Sequence, residues 1–462
     1  MSPSTQEIML VFYEAWTSPM KDLPRDAARC DHPRKRLEVK SRSRIMLRTA
    51  LGAFLPVLIL APAAQAQPPD TILSGTIDLQ QVLEAVRRDN PEILAAHKRW
   101  EAGQRRIAQA ATPDQPRLDV ERMYAPSLSD MIGKPDEKAI SITQEMPFPT
   151  VLYLRRGLAA KDAAMREQSY RAKVLEVCAR ARAAYAMLFL AEKSLFIYDE
   201  SVGIMRRFSR VAESKVSSGR GRQSDALKAQ VELTKMLNMR VTLEQEREAF
   251  QAMLNALMGR DAGAVLGAPQ EPPSAAVVLN AADLEASALS ARPELREALL
   301  ASQRADQSLS LARSEFLPDL MIQHRRRSDP MRGSTYDAIL GLSLPLWFWK
   351  PAAMVREAKS ERETAQAELN AARLSAQADL KTAWSRARAA QRLLEAYRTT
   401  LLPQAEESLK VAESGYQSDK TGFLDLLDAQ RSLLGFRLEY YQYMADFERR
   451  LAELERIVGR EL

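Results

Sequence analysis

"ITQEMPFPTV", Ile142 to Val151, sets an alternating run against Pro147 and Pro149 and then passes into the helix-favouring "LRRGLAAKDAAMREQ". Alternation with a period of two reads as a strand. Proline is tolerated where a hydrogen-bond ladder ends, and again at the first position of a helix. The stretch therefore reads as a strand that turns directly into a helix. "LSLPLWFWKPAAMVREAKSE", beginning at Leu342, repeats that junction around Pro345.

Outward from these two points the chain aligns with itself at a shift of about two hundred residues. "NPEI" at Asn90 meets "RPEL" at Arg292, "QPRLDV" at Gln115 meets "LPDLMI" at Leu317, and "VAES" recurs at Val211 and Val411. The order continues through "AQ" at Ala229 and Ala429 and "GR" at Gly259 and Gly459. We read two copies of one unit, residues 67–266 and 279–462, joined by the Pro-rich linker 267–278. Each copy predicts a short helix, a second helix opening at Pro-Glu, two strands and a long helical hairpin. The strands fall at about Arg117–Tyr124 and Lys138–Met146, then about Asp319–Arg326 and Tyr336–Leu344. In the last, Ala338, Leu340, Leu342 and Leu344 share one face while Asp337, Gly341 and Ser343 share the other, with Ile339 the exception.

After each junction the composition turns strongly helical, and no proline occurs between Pro149 and Pro269. A helix from about Thr150 to Ser217 would be roughly 100 Å long. The first copy turns at "SSGRGRQS" and the second at "GYQSDKTG", with Pro403 predicting a kink or break on the way. On the returning helix Leu433, Tyr440, Met444, Phe447, Leu451, Leu454 and Val458 follow a heptad, and Leu427, Leu434, Leu438 and Tyr441 form a second stripe. Two seams imply neighbours on both flanks, as in a curved wall of helices. A two-helix coiled coil with a broad apolar face is the alternative.

The 462-residue chain carries a net charge of +6. "RKRLEVKSRSR" from Arg34, the apolar "TALGAFLPVLILAPAA" and the small-x-small Ala64-Gln65-Ala66 have the order of a secretory signal, so residues 1–66 are expected to be removed. That leader holds ten basic and six acidic residues, which leaves the mature chain nearly neutral and implies no nucleic-acid partner. Cys178 alone remains, so no intrachain disulfide can form, and it shares an apolar stripe with Val174, Ala181 and Tyr185 that favours burial. His97 and His324 are too far apart in sequence to suggest a metal centre, and no cofactor motif is present. No Ser/His/Asp set or Gly-rich phosphate loop points to an enzyme.

No mature segment reads as a transmembrane helix, yet four strands of nearly membrane-spanning length remain. Four strands cannot close, and an open edge in lipid leaves backbone groups unpaired. In a membrane several chains must share one barrel, while two small soluble sheets remain the alternative.

The ordered combination of "NPEI" and "RPEL", the strands ending in "QEMPFP" and "SLPLWFW", and "LLPQAEESLKVAESGYQSDKTGFLDLLDAQ" resembles the TolC-like outer-membrane efflux channels. The resemblance spans nearly the whole mature chain. It implies a mainly α fold with a membrane β-barrel: an internally duplicated long-helix α-barrel plus four β-strands per chain, closing as a trimeric 12-stranded barrel. The implied partners are two sister chains, a periplasmic adaptor (membrane fusion) protein, an inner-membrane efflux pump and outer-membrane lipid. The implied location is the outer membrane, extending into the periplasm, and the implied role is a passive exit duct. "QEMPFP" followed by "LYLRRG" looks most like the branch that serves heavy-metal exporters. Gln67 stands where many relatives carry a lipid-modified cysteine. A periplasmic coiled-coil scaffold without channel activity is the competing function.

A duct acts through whatever narrows it. In "GFLDLLDAQ" Asp425 and Asp428 share a helical face. In a threefold assembly they would form two carboxylate rings that repel one another and favour cations, and the resemblance places matching aspartates at the periplasmic constriction. The plainer reading is two solvated acids at a helix start. Asp225 stands opposite Asp425, whereas Lys228 stands opposite Asp428. Tyr416 matches a family tyrosine that latches the closed tip; Thr421 replaces the latch arginine, with Lys420 beside it. Polar links among Asp225, Tyr416 and Lys420 are therefore expected to hold the tip shut. Pro147 and Pro345 mark the passage from barrel strand to tunnel helix. "RRR" at Arg325–Arg327 reads as a solvated loop margin or a lipid-phosphate contact. Trp347, Phe348 and Trp349 read as an interfacial belt or as packing at the junction.

Overall fold

The computed structural model describes residues 75–123, 137–272, 280–329 and 333–460. The expected leader, the first hairpin loop and part of the linker lie outside these residues. Helix α1 (Leu79–Asp89) opens on a capping box between Asp78 and Gln81. At α2 (Pro91–Ala110) the Asn90 side chain accepts from the amides of Glu92 and Ile93 while Pro91 takes the first helical position. Strands β1 (Arg117–Met123) and β2 (Glu137–Met146) precede the 69-residue α3 (Pro149–Ser217) and the returning α4 (Gln223–Leu257). The same order then recurs as α5 (Ala281–Ala291), α6 (Pro293–Ser314), β3 (Asp319–Asp329), β4 (Gly333–Ser343), α7 (Trp349–Ala396), α8 (Leu402–Gln417) and α9 (Phe423–Val458).

Both hairpins join one antiparallel sheet in the order β1-β2-β3-β4, with β2 and β3 paired from Lys138↔Ser328 to Met146↔Leu320. Strands β1 and β4 are its edges, and each is bonded on one side only. Register places even-numbered residues on one face and odd-numbered residues on the other. The even face carries Leu118, Val120, Ile140, Ile142, Leu340 and Leu342, all between 49% and 73% exposed. On the odd face Ser141 is 2% exposed and accepts from Gln323, and Arg325 donates to Asp337 at 3.1 Å. The large aliphatic residues lie mainly on the exposed face, while Ser141, Arg325 and Asp337 are more covered on the other, the reverse of a sheet that packs a soluble core and the polarity of a membrane barrel wall.

Helix α9 packs against α3 on one side and α7 on the other, while α4 lies on α3. Both sequence stripes of α9 are therefore used: Met444, Phe447, Leu451, Leu454 and Val458 are buried, as is Leu427 of the second stripe. Each such side chain contributes roughly 1.5–3 kcal/mol by leaving water. One apolar cluster gathers α1, the middle of α3 and the end of α4, with Val82, Val177, Leu188 and Leu254 fully enclosed; Cys178 is half-buried at its margin. A second gathers α5, α7 and the end of α9 around Leu284, Ala387 and Leu454.

The paired "GR" dipeptides acquire a reason here. Gly259 and Gly459 both have left-handed φ, 71° and 83°, and a Cβ on either would lie 2.6–2.9 Å from the backbone at Asp89 or Ala291. Each glycine ends its hairpin against the end of a short helix where no side chain fits. The break expected at Pro403 takes the form of a π-helical turn, Tyr397–Leu401, after which the helix resumes at Leu402. Among the described residues no helix is long and apolar enough to cross a membrane.

Candidate functional site: the helical tip and the strand-to-helix junctions

At the tip the turns after α3 and α8 lie side by side around a buried cluster that includes Met205, Phe208, Leu409, Tyr416, Phe423 and Leu426. Tyr416 is 7% exposed, with its ring edge-on to Phe423 at 5.6 Å. Lys215, at the end of α3, crosses to the other hairpin. Its ammonium lies 4.2 Å from the Tyr416 ring centre, donates to the Tyr416 carbonyl and pairs with the Asp419 carboxylate. Asp419 has φ 59°, where the first copy has Gly219 at 69°. The turn thus demands a left-handed residue, and Lys215 holds an aspartate in it. That bond keeps the Asp419 carboxyl below its ordinary range.

Each residue singled out from sequence now has a position. Asp425 accepts from the Gly422 amide at 3.0 Å and so caps α9. Asp428 is exposed, 3.9 Å from the Arg431 guanidinium. Burial pushes the Tyr416 phenol up, with a smaller effect from the nearby Asp225 carboxylate, which accepts from the Ser224 hydroxyl at 3.3 Å. Among the described residues of one chain, no hydrogen bond joins Asp225 to Tyr416. Lys420 is exposed, without a side-chain partner among the described residues. Thr421 donates to the Ala412 carbonyl and lies where a Cβ on Gly415 would be, at 2.7 Å. It fills the turn rather than latching anything.

Two links escaped sequence reasoning. One is Lys215. The other is Glu232 of α4, 9% exposed, which receives two hydrogen bonds from Arg431 of α9 at 3.0 and 2.6 Å. That pairing holds the Glu232 carboxyl below its usual range. Both links join the first hairpin to the second, and neither has a local sequence signal, because their partners lie about two hundred positions away.

Pro147 and Pro345 each stand between the last strand residue and the first helical turn, where no ladder hydrogen bond is required. Leu346, Trp347, Phe348 and Trp349 beside the second junction are 59–70% exposed. They form an apolar collar at the base of the sheet.

A duplicated strand-to-helix unit with an apolar-outward sheet now has its counterpart among known proteins. Residues 82–260 and 284–460 each match the outer membrane efflux protein family. The chain belongs to that family. The cobalt-zinc-cadmium resistance protein CzcC of Cupriavidus metallidurans is 24% identical over 438 residues, covering 90% of this chain and all of that protein. The Campylobacter jejuni CmeC outer membrane channel superposes with a TM-score of 0.70 at 14% identity over 82% of this chain and 85% of its own. CusC, solved in a study of transmembrane channel formation, gives 0.72 at 15% identity over 86% of this chain and 96% of its own. This outer membrane efflux protein is thus an exit duct of the outer membrane that extends into the periplasm.

Proposed function

We propose that three copies of this chain close one twelve-stranded barrel and one helical tunnel, and that the duct passively releases metal cations delivered by an inner-membrane pump through a periplasmic adaptor. The observation that carries the assembly is the four-stranded sheet with an exposed apolar face and two free edges, β1 and β4. Such a sheet satisfies its backbone in lipid only by joining β4 of one copy to β1 of the next. The likeness to a cobalt-zinc-cadmium resistance protein supports the cargo.

Asp425 and Asp428 are proposed as the cation-selective constriction, and Asp225, Tyr416 and Lys420 as polar links between adjacent helix pairs that close the tip, with Lys215 joining the two hairpins of each copy through Asp419. The Lys215–Asp419 pair opens to solvent at Asp419, which is 59% exposed, and a pair open to solvent contributes about 0–1 kcal/mol, so an adaptor can release it. The test is single-channel recording on purified protein in planar bilayers, after its size in detergent is measured. Trimers are expected, with cation preference reduced severalfold by Asp425→Asn with Asp428→Asn, and closed-state conductance raised by Lys215→Met. A water-soluble monomer with no bilayer activity overturns the assembly; unchanged selectivity overturns the constriction.

A further inference from the structure

The outward face of the sheet is not uniformly apolar. Nearest the helical junctions its rows hold Met146, Leu320 and Leu342, then Ile322 and Leu340, then Leu118 and Ile142. The next row, toward the hairpin loops, holds Arg326 and Tyr336 alongside Ile140 and Val120, and the one after it Lys138 beside Arg122. Among the described side chains every acidic one in the sheet, Asp119, Glu121, Glu145, Asp319, Asp329 and Asp337, falls on the opposite face. Arg117 and Arg325 lie on that face too and pair there, with Asp119 at 2.7 Å and Asp337 at 3.1 Å. The opposite face carries both signs, with Arg117, Arg325 and Arg327 among the six carboxylates, whereas the outward face carries cations only. Lys138, Arg326 and Tyr336 are all exposed; Arg326 lies 5.7 Å from the Tyr336 ring centre, and the His324 ring stacks on the same tyrosine at 6.1 Å.

We infer that Arg326, Lys138 and Arg122, with Tyr336, form a binding belt for phosphate groups of lipids in the outer leaflet of the outer membrane. The inference rests on the barrel reading above. Because the junctions lead into the periplasmic helices, the hairpin ends point to the outer leaflet. Leu320 to Arg326 spans about 20 Å along a strand, which carries the cations from one side of the apolar layer toward the other. Cations flanking an apolar band, with an aromatic at the same level, suit an anionic headgroup above acyl chains. Solvent alone would give no reason to sort every acidic residue onto the other face.

The full mature protein is reconstituted in phosphatidylcholine vesicles with either diphosphorylated lipid A or the same glycolipid stripped of phosphate, and retained glycolipid is counted by native mass spectrometry. The phosphorylated form is expected to be retained preferentially, and less so as salt rises. At about fivefold per cation, Lys138→Gln with Arg326→Gln is expected to weaken retention roughly thirtyfold. Lys138→Arg with Arg326→Lys keeps it, and so does Arg325→Gln on the covered face. Equal retention of the two glycolipids overturns the belt, as does an equal loss in Arg325→Gln. Protein that enters neither vesicle overturns the barrel reading and the belt with it, and flotation distinguishes that failure from the others.

Discussion

Glu448 shows how one side chain ties the helical wall to pH. It is buried between α9 and α3, and burial pushes its carboxyl up to about 7; Arg182 opposes the rise and Glu455 adds to it. Arg182 is itself committed to Glu455 through a close ion pair. A raised folded-state value means that the native chain holds this proton more tightly than the unfolded chain. The resulting stability is fully present below the ordinary glutamate value of 4.5 and is lost as pH rises toward about 7. Glu448→Gln cannot ionise, so thermal unfolding followed by circular dichroism is expected to lose its slope across that window. On the alkaline side the variant gains up to about 3 kcal/mol. An unchanged slope would assign the pH dependence elsewhere. Gly459→Ala tests a steric claim at the same scale: its Cβ would meet backbone atoms of Ala291 and Arg292 at 2.9 Å, with φ already at 83°. A loss of roughly 2–4 kcal/mol is expected in denaturant titration. Gly435, with open space around its Cβ position, should tolerate alanine without comparable loss.

Among the elements, the π turn at Tyr397–Leu401 separates two explanations of one feature. Proline at 403 supplies no amide, yet the turn also draws Tyr397 inward, where its hydroxyl donates to Glu439 at 2.7 Å and its ring lies 5.0 Å from that of Tyr443. Converting the turn to ordinary α-helix would rotate α8 by about 100° and carry Leu409 and Tyr416 out of the tip cluster. Packing therefore holds the turn in place. Pro403→Ala is expected to change stability by less than about 1 kcal/mol, and Tyr397→Phe to cost about 1 kcal/mol, both in thermal unfolding. A larger effect of the proline than of the tyrosine would reverse that order. Much at this scale was legible beforehand. The starts at Pro91 and Pro293 follow from proline's fixed geometry, and the strand faces follow from alternation. The form of the break at Pro403 was not, because it depends on what α9 offers opposite. For the same reason Lys215, Glu232 and Arg431 were missed: an ion pair between separate hairpins is set by packing register, which no local period records. Lys420 is expected at the latch because it stands next to the position of the family's arginine, and in one chain its side chain is exposed at the tip, free to meet a neighbouring helix pair.

At the scale of the molecule the sheet settles what one copy can do by itself. Strands β1 and β4 each leave one row of amides and carbonyls without a strand partner, and the face between them is apolar. No single chain completes that wall. Function then becomes a property of a population rather than of a polypeptide. If half the copies in a mixture carry a proline in β4, such as Leu340→Pro, about one threefold assembly in eight contains only sound members. Conductance per reconstituted protein is expected to fall toward that eighth, whereas independent units would retain one half. A defective copy produced beside a sound one would then act dominantly, through the company its product keeps.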